Sequence, residues 1–351
     1  MFVTHLICSF TTGGAETMLV DIVNRQVAEG HRVTLIVIND LVEERLLRSL
    51  DKKVQVVRIG RKPGSRNPFL FLYLNIILFR LHADILHCHD CVIGGMLLPI
   101  FKKKLCLTVH TVGVSDKYFS RFEKIVAISD SVKQDITKRT LFCPEIIWNG
   151  IHIDRIKKRK SLELSSPFRL IMVSRLDHLV KGQHVLLKAL DLLVNKYKRP
   201  VSLDFVGEGK SEKYLRSLVE EYKLQANVNF LGLRDRNYIY THLHEYDLFV
   251  QPSIYEGFGL TVVEAMIAGI PVLVSGDGPT EVVGQGKYGY CFEKENAEEC
   301  AKKIDCIIQD YAGLDNFVYK ASVYAGNQYS IQATVCAYQN LYESMTSDKA
   351  K

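Results

Sequence analysis

Residues 255–264 read YEGFGLTVVE, and they join a predicted buried strand to a predicted apolar helix. The strand lies in residues 246–253, an apolar run that ends in Pro-Ser, and the helix ends before a Gly-Ile-Pro sequence. Glu256 is therefore expected on a strand-to-helix loop, where Gly257 and Gly259 allow the backbone to approach a ligand closely. The free N–H groups at the start of the helix favour an anion such as phosphate.

Glu256 and Glu264 are the two carboxylates of this stretch. Glu264 is expected about two turns into the helix, and eight residues of helix rise about 12 Å, more than the roughly 5–9.5 Å that separates the paired carboxylates of glycosidases. Two carboxylates beside a phosphate-binding helix start suit an elongated ligand with hydroxyl groups at each end, such as a nucleotide-sugar. The alternative is that both glutamates only solvate a loop and cap a helix, which is their commoner role.

Strands and helices alternate along the first 150 residues, which predicts a parallel sheet with helices on both faces. The predicted strands are residues 2–10, 32–38, 54–59, 83–87, 105–110 and 124–128, and the predicted helices lie near 15–29, 41–50, 68–81 and 130–138. The alternation breaks at residues 148–152. The polar segment 155–167 that follows is predicted to be an interdomain linker.

A second alternating unit follows the break, and the chain is therefore predicted to be α/β with two doubly wound domains. Its predicted strands are residues 168–173, 201–206, 228–231, 246–253 and 271–275, and its helices are 183–196, 211–222, 237–245, 260–268 and 297–310, with a last helix at 331–345. The loop after the first of these strands holds Arg175 and Lys181, a pair of cations that suits a diphosphate. Glycine-containing loops at 207–209 and 231–233 follow two more strands, and ligands of such sheets bind at the carboxyl ends of strands.

The first strand of the chain leads into a turn with Gly13 and Gly14, whose backbone N–H groups could meet a phosphate. The G-x-G-x-x-G fingerprint of dinucleotide-binding proteins is absent, which argues against an NAD-dependent oxidoreductase. Many such glycine turns have only a structural role, so this signal is weak by itself.

The net charge of the chain is unevenly distributed. Residues 1–150 contain 20 Lys and Arg against 14 Asp and Glu, a net charge of +6, whereas residues 151–351 are neutral. The excess includes Lys102–Lys104 and the basic residues between Arg58 and Arg66. A solvated basic face is the simpler interpretation, and an anionic membrane or a phosphate-bearing acceptor is the more specific one.

The nine cysteines are scattered, odd in number and show no paired C-x-x-C motifs, so reduced thiols in a cytoplasmic protein are expected. No signal peptide and no transmembrane helix are expected either. The segment HCHDC at residues 87–91 contains metal-ligand residue types. Because it continues a buried strand and no second ligand cluster is obvious, it is not predicted to bind a metal.

Several of these motifs resemble those of the family-four retaining glycosyltransferases of the GT-B fold. The matching segments are GGAE at 13–16, VHT at 109–111, AIS at 127–129, NGI at 149–151, SRL at 174–176 with KG at 181–182, GEG at 207–209, and the stretch from Glu256 to Glu264. The resemblance implies two Rossmann-like domains that face a central cleft. Residues 1–150 with 331–351 would form the acceptor-binding domain, and residues 151–330 the donor-binding domain. His152 departs from the family, where an Asp is common, and this bears only on the hinge.

The resemblance also implies roles for individual residues. The implied catalytic residues are His110, Arg175, Lys181 and Glu256, and the implied donor-binding residues are Gly13, Gly14, Gly207, Leu233, Phe258, Gly259, Leu260 and Glu264. Arg175 and Lys181 would hold the diphosphate, Glu264 the ribose and Glu256 the donor sugar. No metal is implied, since the cations would stabilise the leaving nucleotide and no D-x-D pair is present.

The implied activity is transfer of a sugar from a nucleotide-diphosphate sugar, with UDP favoured over GDP, to a saccharide or lipid-linked acceptor. Retention of configuration is expected because neither His110 nor Asp116, the nearest candidates, is a placed general base behind the reacting carbon. The implied setting is cell-surface polysaccharide, capsule or lipopolysaccharide biosynthesis in the cytoplasm or on the inner face of the membrane, without nucleic acid. The alternatives are a nucleotide-sugar epimerase or hydrolase and a non-catalytic nucleotide-sugar-binding partner.

Overall fold

A computed structural model describes residues 1–11 and 13–347. The chain divides into two compact units. Unit 1 consists of Met1–Ile151 and the chain from Ile331 onward, and unit 2 consists of His152–Ser330. The division lies within one residue of the boundary expected from the sequence. Residues 348–351, which were assigned to the first domain, lie outside the described residues.

In unit 1, the described residues form a seven-stranded parallel sheet in the order β3-β2-β1-β4-β5-β6-β7. The strands are β1 (Phe2–Ile7), β2 (Arg32–Asn39), β3 (Gln55–Arg61), β4 (Ile85–Cys88), β5 (Leu105–Val109), β6 (Lys124–Ala127) and β7 (Glu145–Ile146). The helices are α1 (Gly14–Ala28), α2 (Glu44–Arg48), α3 (Pro68–Leu81), α4 (Asp130–Arg139) and, from the end of the chain, α13 (Ile331–Ser347). The central strands are buried along their length because helices cover both faces of the sheet.

In unit 2, the described residues form a six-stranded parallel sheet in the order β10-β9-β8-β11-β12-β13. The strands are β8 (Phe168–Val173), β9 (Val201–Val206), β10 (Val228–Phe230), β11 (Leu248–Pro252), β12 (Val272–Ser275) and β13 (Tyr290–Cys291). The helices are α5 (His178–Lys181), α6 (Gln183–Asp191), α7 (Glu212–Glu221), α8 (Arg236–His242), α9 (Leu260–Ala268), α10 (Asp277–Val282), α11 (Ala297–Gln309) and α12 (Asp315–Gln328). The two parallel sheets confirm the predicted α/β fold class.

Both sheets reverse their strand order at one point, between β1 and β4 in unit 1 and between β8 and β11 in unit 2. At such a point the loops that follow the two strands diverge to opposite faces of the sheet, which leaves a crevice at the carboxyl ends of the strands. Ligands of open α/β sheets bind in this crevice. The strand order therefore selects the loops after β1, β4, β8 and β11 as candidate binding loops.

The segment 155–167, predicted to be an interdomain linker, belongs to unit 2 and is hydrogen-bonded to it. Arg159 donates its backbone N–H to Ala268 at 2.8 Å, and its guanidinium donates to the Tyr246 carbonyl at 2.6 Å and to the Asp247 carboxylate at 3.0 Å. Asp247 is fully buried, so its charge requires this partner. The segment is polar because it pairs with a buried carboxylate of unit 2.

Further differences concern short elements. The two-residue strands β7 and β13 and the helix α10 were not predicted, because a short element leaves too few residues to show a period. The predicted helix 183–196 is α-helical only to Asp191 and continues as one π-helical turn, Leu192–Lys196.

Within residues 1–11 and 13–347, no helix is both long and apolar enough to span a bilayer. The nine cysteines, all in the described part of the chain, form no disulfide.

Candidate functional site

The loops after β8 and β11 are joined at the switch point of unit 2. The carbonyl of Val180 accepts hydrogen bonds from the N–H groups of Ile254 and Tyr255 at 3.0 and 3.1 Å. Gly182 has φ +70°, and a Cβ at this position would overlap the carbonyl oxygen of Pro252. Only glycine allows the two loops to approach so closely. The loop that carries Lys181 therefore lies directly against the loop that carries Glu256.

Lys181 and Glu256 form an ion pair across these loops, with direct contact between the ammonium and one carboxylate oxygen. Both side chains are largely buried, with 17% and 20% of their surface exposed. The hydroxyl of Ser253 lies 3.5 Å from the same carboxylate oxygen. The sequence placed these two residues near one ligand, and the structure brings them into contact with each other.

The N-terminus of α9 lies next to this ion pair in sequence. Helix α9 begins at Leu260, and its N-cap Gly259 has φ +106°, a left-handed conformation that favours glycine. No side-chain hydrogen bond caps this N-terminus in the described structure, so its first N–H groups can bind an anion. The Phe258 ring is buried against Tyr329, with ring centroids 5.3 Å apart. Phe258 can therefore offer a ligand only its backbone.

Arg175 is the most exposed member of the predicted catalytic set in unit 2, with 68% of its side chain accessible. Its guanidinium lies 3.9 Å from Asp177, which Lys210 also approaches at 3.1 Å. Gln183 holds the Arg175 backbone, since its amide donates to the Arg175 carbonyl at 2.8 Å and to the Ser174 hydroxyl at 3.1 Å. Sequence reasoning missed Gln183, although it directly follows the Lys-Gly pair that was singled out.

Glu264 lies little more than one turn inside α9, not two turns as predicted, because residues 256–259 are loop and not helix. The 12 Å estimate for its separation from Glu256 therefore does not apply. Glu264 is buried, and the Arg236 guanidinium lies 3.8 Å from its carboxylate. Arg236, at the start of α8, was also missed. The only feature that marked Arg236 in the sequence was its positive charge shortly after the 231–233 loop.

The loops after β9 and β10 are hydrogen-bonded to each other. The N–H of Gly207 donates to the carbonyl of Gly232 at 2.9 Å. Leu233 then projects into solvent with 56% of its surface exposed. An exposed leucine beside a glycine loop offers an apolar surface for a planar group such as a nucleotide base.

Helix α10 packs against the loop at residues 256–258. A Cβ at Gly278 of this helix would overlap the backbone of that loop.

In unit 1, Gly13 is the N-cap of α1 and Gly14 is its first residue. The Glu16 carboxylate folds over Gly13, where it accepts a hydrogen bond from its own backbone N–H. Burial, together with the nearby Asp90, raises the pKa of this carboxyl group. The predicted phosphate-binding turn thus already contains an acidic group, and a phosphate would bind there only if Glu16 moved or became protonated.

His110 directly follows β5, and its Nε2 lies 3.2 Å from Nδ1 of His89. The Nδ1 atom of His110 is buried and has no hydrogen-bond partner in the described structure. Burial lowers the pKa of His110 to about 4, so the ring is neutral at pH 7. Asp90, in the loop after β4, accepts a hydrogen bond from the N–H of Cys8 at 2.7 Å, which connects the two switch-point loops of unit 1.

Three buried histidines, His5, His87 and His89, lie close enough to one another to hold a metal ion in principle. However, hydrogen bonds account for all six ring nitrogens. His5 contacts Gln26 and His89, His87 contacts Tyr342 and Thr108, and His89 contacts His5 and His110. The ring nitrogens are thus satisfied by the protein itself, and no carboxylate belongs to the cluster to offset the charge of an ion. The expectation that HCHDC does not bind a metal stays a prediction.

Comparison with known proteins identifies the family. The family model described as Glycosyltransferase Family 4 matches residues 12–155, and the model described as Glycosyl transferases group 1 matches residues 154–323. The two matches meet at residues 154–155, just after the boundary between units 1 and 2. They leave only the first 11 residues and the region after residue 323 unmatched.

Individual relatives agree with these matches. The uncharacterized glycosyltransferase MJ1607 of Methanocaldococcus jannaschii is 26% identical over 303 residues, which cover 75% of this chain and 76% of the relative. WcaL of Escherichia coli K12, named as a colanic acid biosynthesis glycosyltransferase, is 25% identical over 70% of this chain and 66% of its own. The crystal structure of HepE from Anabaena in complex with UDP-glucose shares the fold, with a TM-score of 0.79, 21% identity, and coverage of 99% of this chain and 100% of that one. The chain therefore belongs to the family-four glycosyltransferases and has the GT-B fold.

Proposed function

We propose that this glycosyltransferase moves a hexose from a UDP-sugar to a hydroxyl group of a saccharide or lipid-linked acceptor, with retention of the anomeric configuration. The proposal rests on one observation, the meeting of Lys181, Glu256 and the N-terminus of α9 at the switch point of unit 2. HepE binds UDP-glucose, which supports a UDP-sugar donor. The name of WcaL supports a role in cell-surface polysaccharide biosynthesis.

The chemistry follows from the charges at this point. Departure of UDP places negative charge on the diphosphate, and fixed positive charge lowers the energy of that transition state. Lys181, Arg175 and the N–H groups at the start of α9 supply positive charge or partial positive charge on adjacent loops. Glu256 would turn from Lys181 to the hydroxyl groups of the sugar once the diphosphate pairs with the ammonium. Glu264 would accept hydrogen bonds from the ribose.

Thermal unfolding in the presence of nucleotide-sugars tests the donor. A ligand at 100 times its Kd stabilises the folded protein by about 2.7 kcal/mol. We expect UDP-sugars to raise the Tm and GDP-sugars to leave it unchanged, with Glu264→Gln reducing the shift. Stabilisation by GDP-sugars alone would overturn the UDP assignment.

Product analysis separates transfer from the two alternatives. We expect release of UDP that depends on an added saccharide or lipid-linked acceptor. Consumption of the donor without any acceptor would indicate an epimerase or hydrolase. Tight donor binding with no turnover against a broad acceptor panel would indicate a non-catalytic binding partner.

We also propose that unit 1 contacts an anionic membrane surface, where a lipid-linked acceptor would be found. Helix α3 carries five exposed apolar side chains, Phe69, Leu72, Tyr73, Ile76 and Phe79. Their spacing of three or four residues places them on one face of the helix. Contiguous exposed apolar surface on a folded protein typically marks an interaction site.

The apolar face of α3 continues into the neighbouring segment. The buried Asn75 donates to the Met96 carbonyl and accepts the N–H of Leu98, both at 2.9 Å. This contact places α3 beside residues 98–100, where Leu98 and Ile100 are also exposed. The membrane face is therefore defined by the five residues of α3 together with these two.

Basic residues flank the membrane face, although fewer than the sequence suggested. Arg58 pairs with Glu44 at 2.8 Å, Arg61 bonds Asn39 at 2.7 Å, and Lys104 donates to the Ala83 carbonyl at 2.6 Å. Exposed cations within or next in sequence to the segments that form the face include Lys62, Arg66, Arg80, Lys102 and Lys103. Each contributes about 1 kcal/mol to binding an anionic surface, and the apolar side chains add to this by insertion.

Co-sedimentation with vesicles tests the membrane face. We expect the protein to bind phosphatidylserine–phosphatidylcholine vesicles at low salt more strongly than phosphatidylcholine alone. The pair Leu72→Glu with Ile76→Glu, and the pair Lys102→Glu with Lys103→Glu, should each reduce binding at least tenfold. Leu141→Glu is the control, because Leu141 is fully exposed in unit 1 but lies outside the face. Equal binding by the control and the two double variants would refute the assignment.

A further inference from the structure

Four hydrogen-bonded side chains cross the interior of unit 1 and end at His110. Gln26 on α1 contacts Nε2 of His5 at 2.8 Å, and Nδ1 of His5 contacts Nε2 of His89 at 3.0 Å. Nδ1 of His89 then contacts Nε2 of His110 at 3.2 Å. Gln26, His5 and His89 are all buried. Because each hydrogen-bonded ring nitrogen in the series has a single partner, the tautomers of the three histidines depend on one another.

The amide of Gln26 sets the direction of these bonds. Its oxygen faces His5, so it accepts the N–H at Nε2 of His5. The Gln26 amide also interacts with the phenol of Tyr342 and lowers its otherwise raised pKa. The Tyr342 hydroxyl in turn lies 2.6 Å from Nδ1 of His87. The glutamine is thus held by partners on two sides, from β1 and from α13.

With this direction, each histidine of the series donates through Nε2 and accepts through Nδ1. His110 then carries its hydrogen on Nε2 and a lone pair on the buried Nδ1. The opposite direction would place a hydrogen on this buried Nδ1, where no acceptor is present in the described structure. A buried N–H without an acceptor is among the rarest defects in folded proteins. The observed direction avoids it.

We propose that Gln26, His5 and His89 are positioning residues that hold His110 as the neutral Nε2–H tautomer in a fixed ring orientation. This inference rests on the proposed role of His110 in sugar transfer. It specifies that role: with its lone pair on Nδ1, the His110 ring can accept a hydrogen bond at this atom but cannot donate a proton from it. Burial lowers the pKa values of both His5 and His110 to about 4, which keeps the series neutral at pH 7.

Nitrogen-15 NMR of the full-length protein labelled at histidine measures the tautomers directly, since protonated and unprotonated ring nitrogens have well-separated shifts. We expect His5, His89 and His110 to be Nε2–H tautomers at pH 7. In Gln26→Met, which removes both polar atoms of the amide, we expect mixed tautomers at His110. Gln26→Glu keeps an oxygen acceptor for His5 and should restore the single tautomer. An Nδ1–H or doubly protonated His110 in the unmodified protein would overturn the proposal without any variant.

Steady-state kinetics then test the positioning role. Gln26→Met should lower kcat about tenfold and leave the donor KM within twofold, and Gln26→Glu should recover most of kcat. Thr34→Val is the matched control, because it removes a buried polar atom from the same sheet outside the hydrogen-bonded series. A kcat for Gln26→Met equal to that of Thr34→Val would overturn the positioning role. Failure of the unmodified protein to transfer sugar would instead refute the proposed function, because the tautomer measurement does not depend on activity.

Discussion

Lys181 and Glu256 lie 75 residues apart in the chain and contact each other through an ion pair at the switch point of unit 2. Each is a residue to which the family resemblance assigns a role in donor binding. In the structure each satisfies the charge of the other, so neither is left buried and unpaired. A diphosphate would compete with Glu256 for the Lys181 ammonium, and this exchange would turn the carboxylate toward the sugar. Donor binding and ion-pair opening are thus expected to be coupled.

Removal of either cation near this site should reduce catalysis. We expect Lys181→Ala and Arg175→Ala each to lower kcat/KM by about 10²-fold or more, the usual cost of losing one group that stabilises charge in the transition state. The measurement is steady-state UDP release with a saturating acceptor.

Two surface variants of unit 2 serve as controls for these cations. Lys294→Ala and Arg216→Ala remove exposed cations that form ion pairs with Asp277 and Glu212, respectively, and both should keep normal kinetics. Circular dichroism should show that all four proteins are folded. Normal turnover in Lys181→Ala or Arg175→Ala would contradict the assignment of that residue to the diphosphate.

Transfer should require no divalent metal. The physical reason is that Lys181, Arg175 and the N-terminus of α9 already supply positive charge where the leaving diphosphate develops negative charge. We expect the same initial rate with and without excess EDTA. Loss of activity in EDTA that is restored by magnesium or manganese would refute this prediction.

The product should keep the anomeric configuration of the donor. His110 is neutral at pH 7 because burial lowers its pKa to about 4, and the ring is held by His89. It is therefore a poor base for a single in-line displacement, and departure of UDP with attack from the same face is expected. NMR of the first-formed product decides between the two outcomes, and an inverted anomer would refute retention.

His110→Ala should separate binding from chemistry. We expect kcat to fall strongly while the affinity for the donor stays within a few-fold, because contacts made mainly in the transition state affect kcat. Donor affinity can be measured by titration calorimetry. A large loss of donor affinity with a normal kcat would instead indicate that His110 only binds the ground state.

The stability of unit 1 should decrease as the pH falls from 7 to 5. The pKa values of His5 and His110 are lowered to about 4 in the folded protein, so the unfolded chain, with a pKa near 6.5, binds more protons in this range. Each histidine then lowers the free energy of unfolding by about 2 kcal/mol between pH 7 and 5. Above pH 7 neither state binds protons at these groups, and the effect disappears.

Denaturant titrations followed by tryptophan fluorescence measure this loss. Trp148 is the single tryptophan of the chain and lies in unit 1, so its emission reports on that unit. Glu16 opposes the trend, because its raised pKa favours the folded state at lower pH. A free energy of unfolding that is constant or rises from pH 7 to pH 5 would contradict the burial of neutral histidines.

Local patterns in the sequence were enough to predict most of the fold. Helix α3 and strands β8 and β9 match their predicted ranges, because an apolar period bounded by Pro, Gly or a polar cap is a local property of the sequence. The cap of α4 is a further example, since the Ser129 hydroxyl accepts the N–H of Val132 at 3.2 Å, as Ser-Asp-Ser predicts. The attachment of segment 155–167 to unit 2 was not predicted, because the buried partner of Arg159 lies 88 residues further along the chain.

The sequence by itself determined the α/β class, the two doubly wound units and the loops that carry Arg175, Lys181, Glu256 and Gly259. Only the tertiary structure decided which side chains meet. The order β1-β4-β5 places His5 opposite His87 and brings His89 and His110 into one hydrogen-bonded series. The return of α13 supplies Tyr342, 255 residues from its partner His87. The physical reason is the separation along the chain over which each interaction acts. Hydrophobic periodicity acts between neighbours in the chain, whereas a hydrogen bond between buried groups depends on strand order and register, which are set by the packing of the whole sheet.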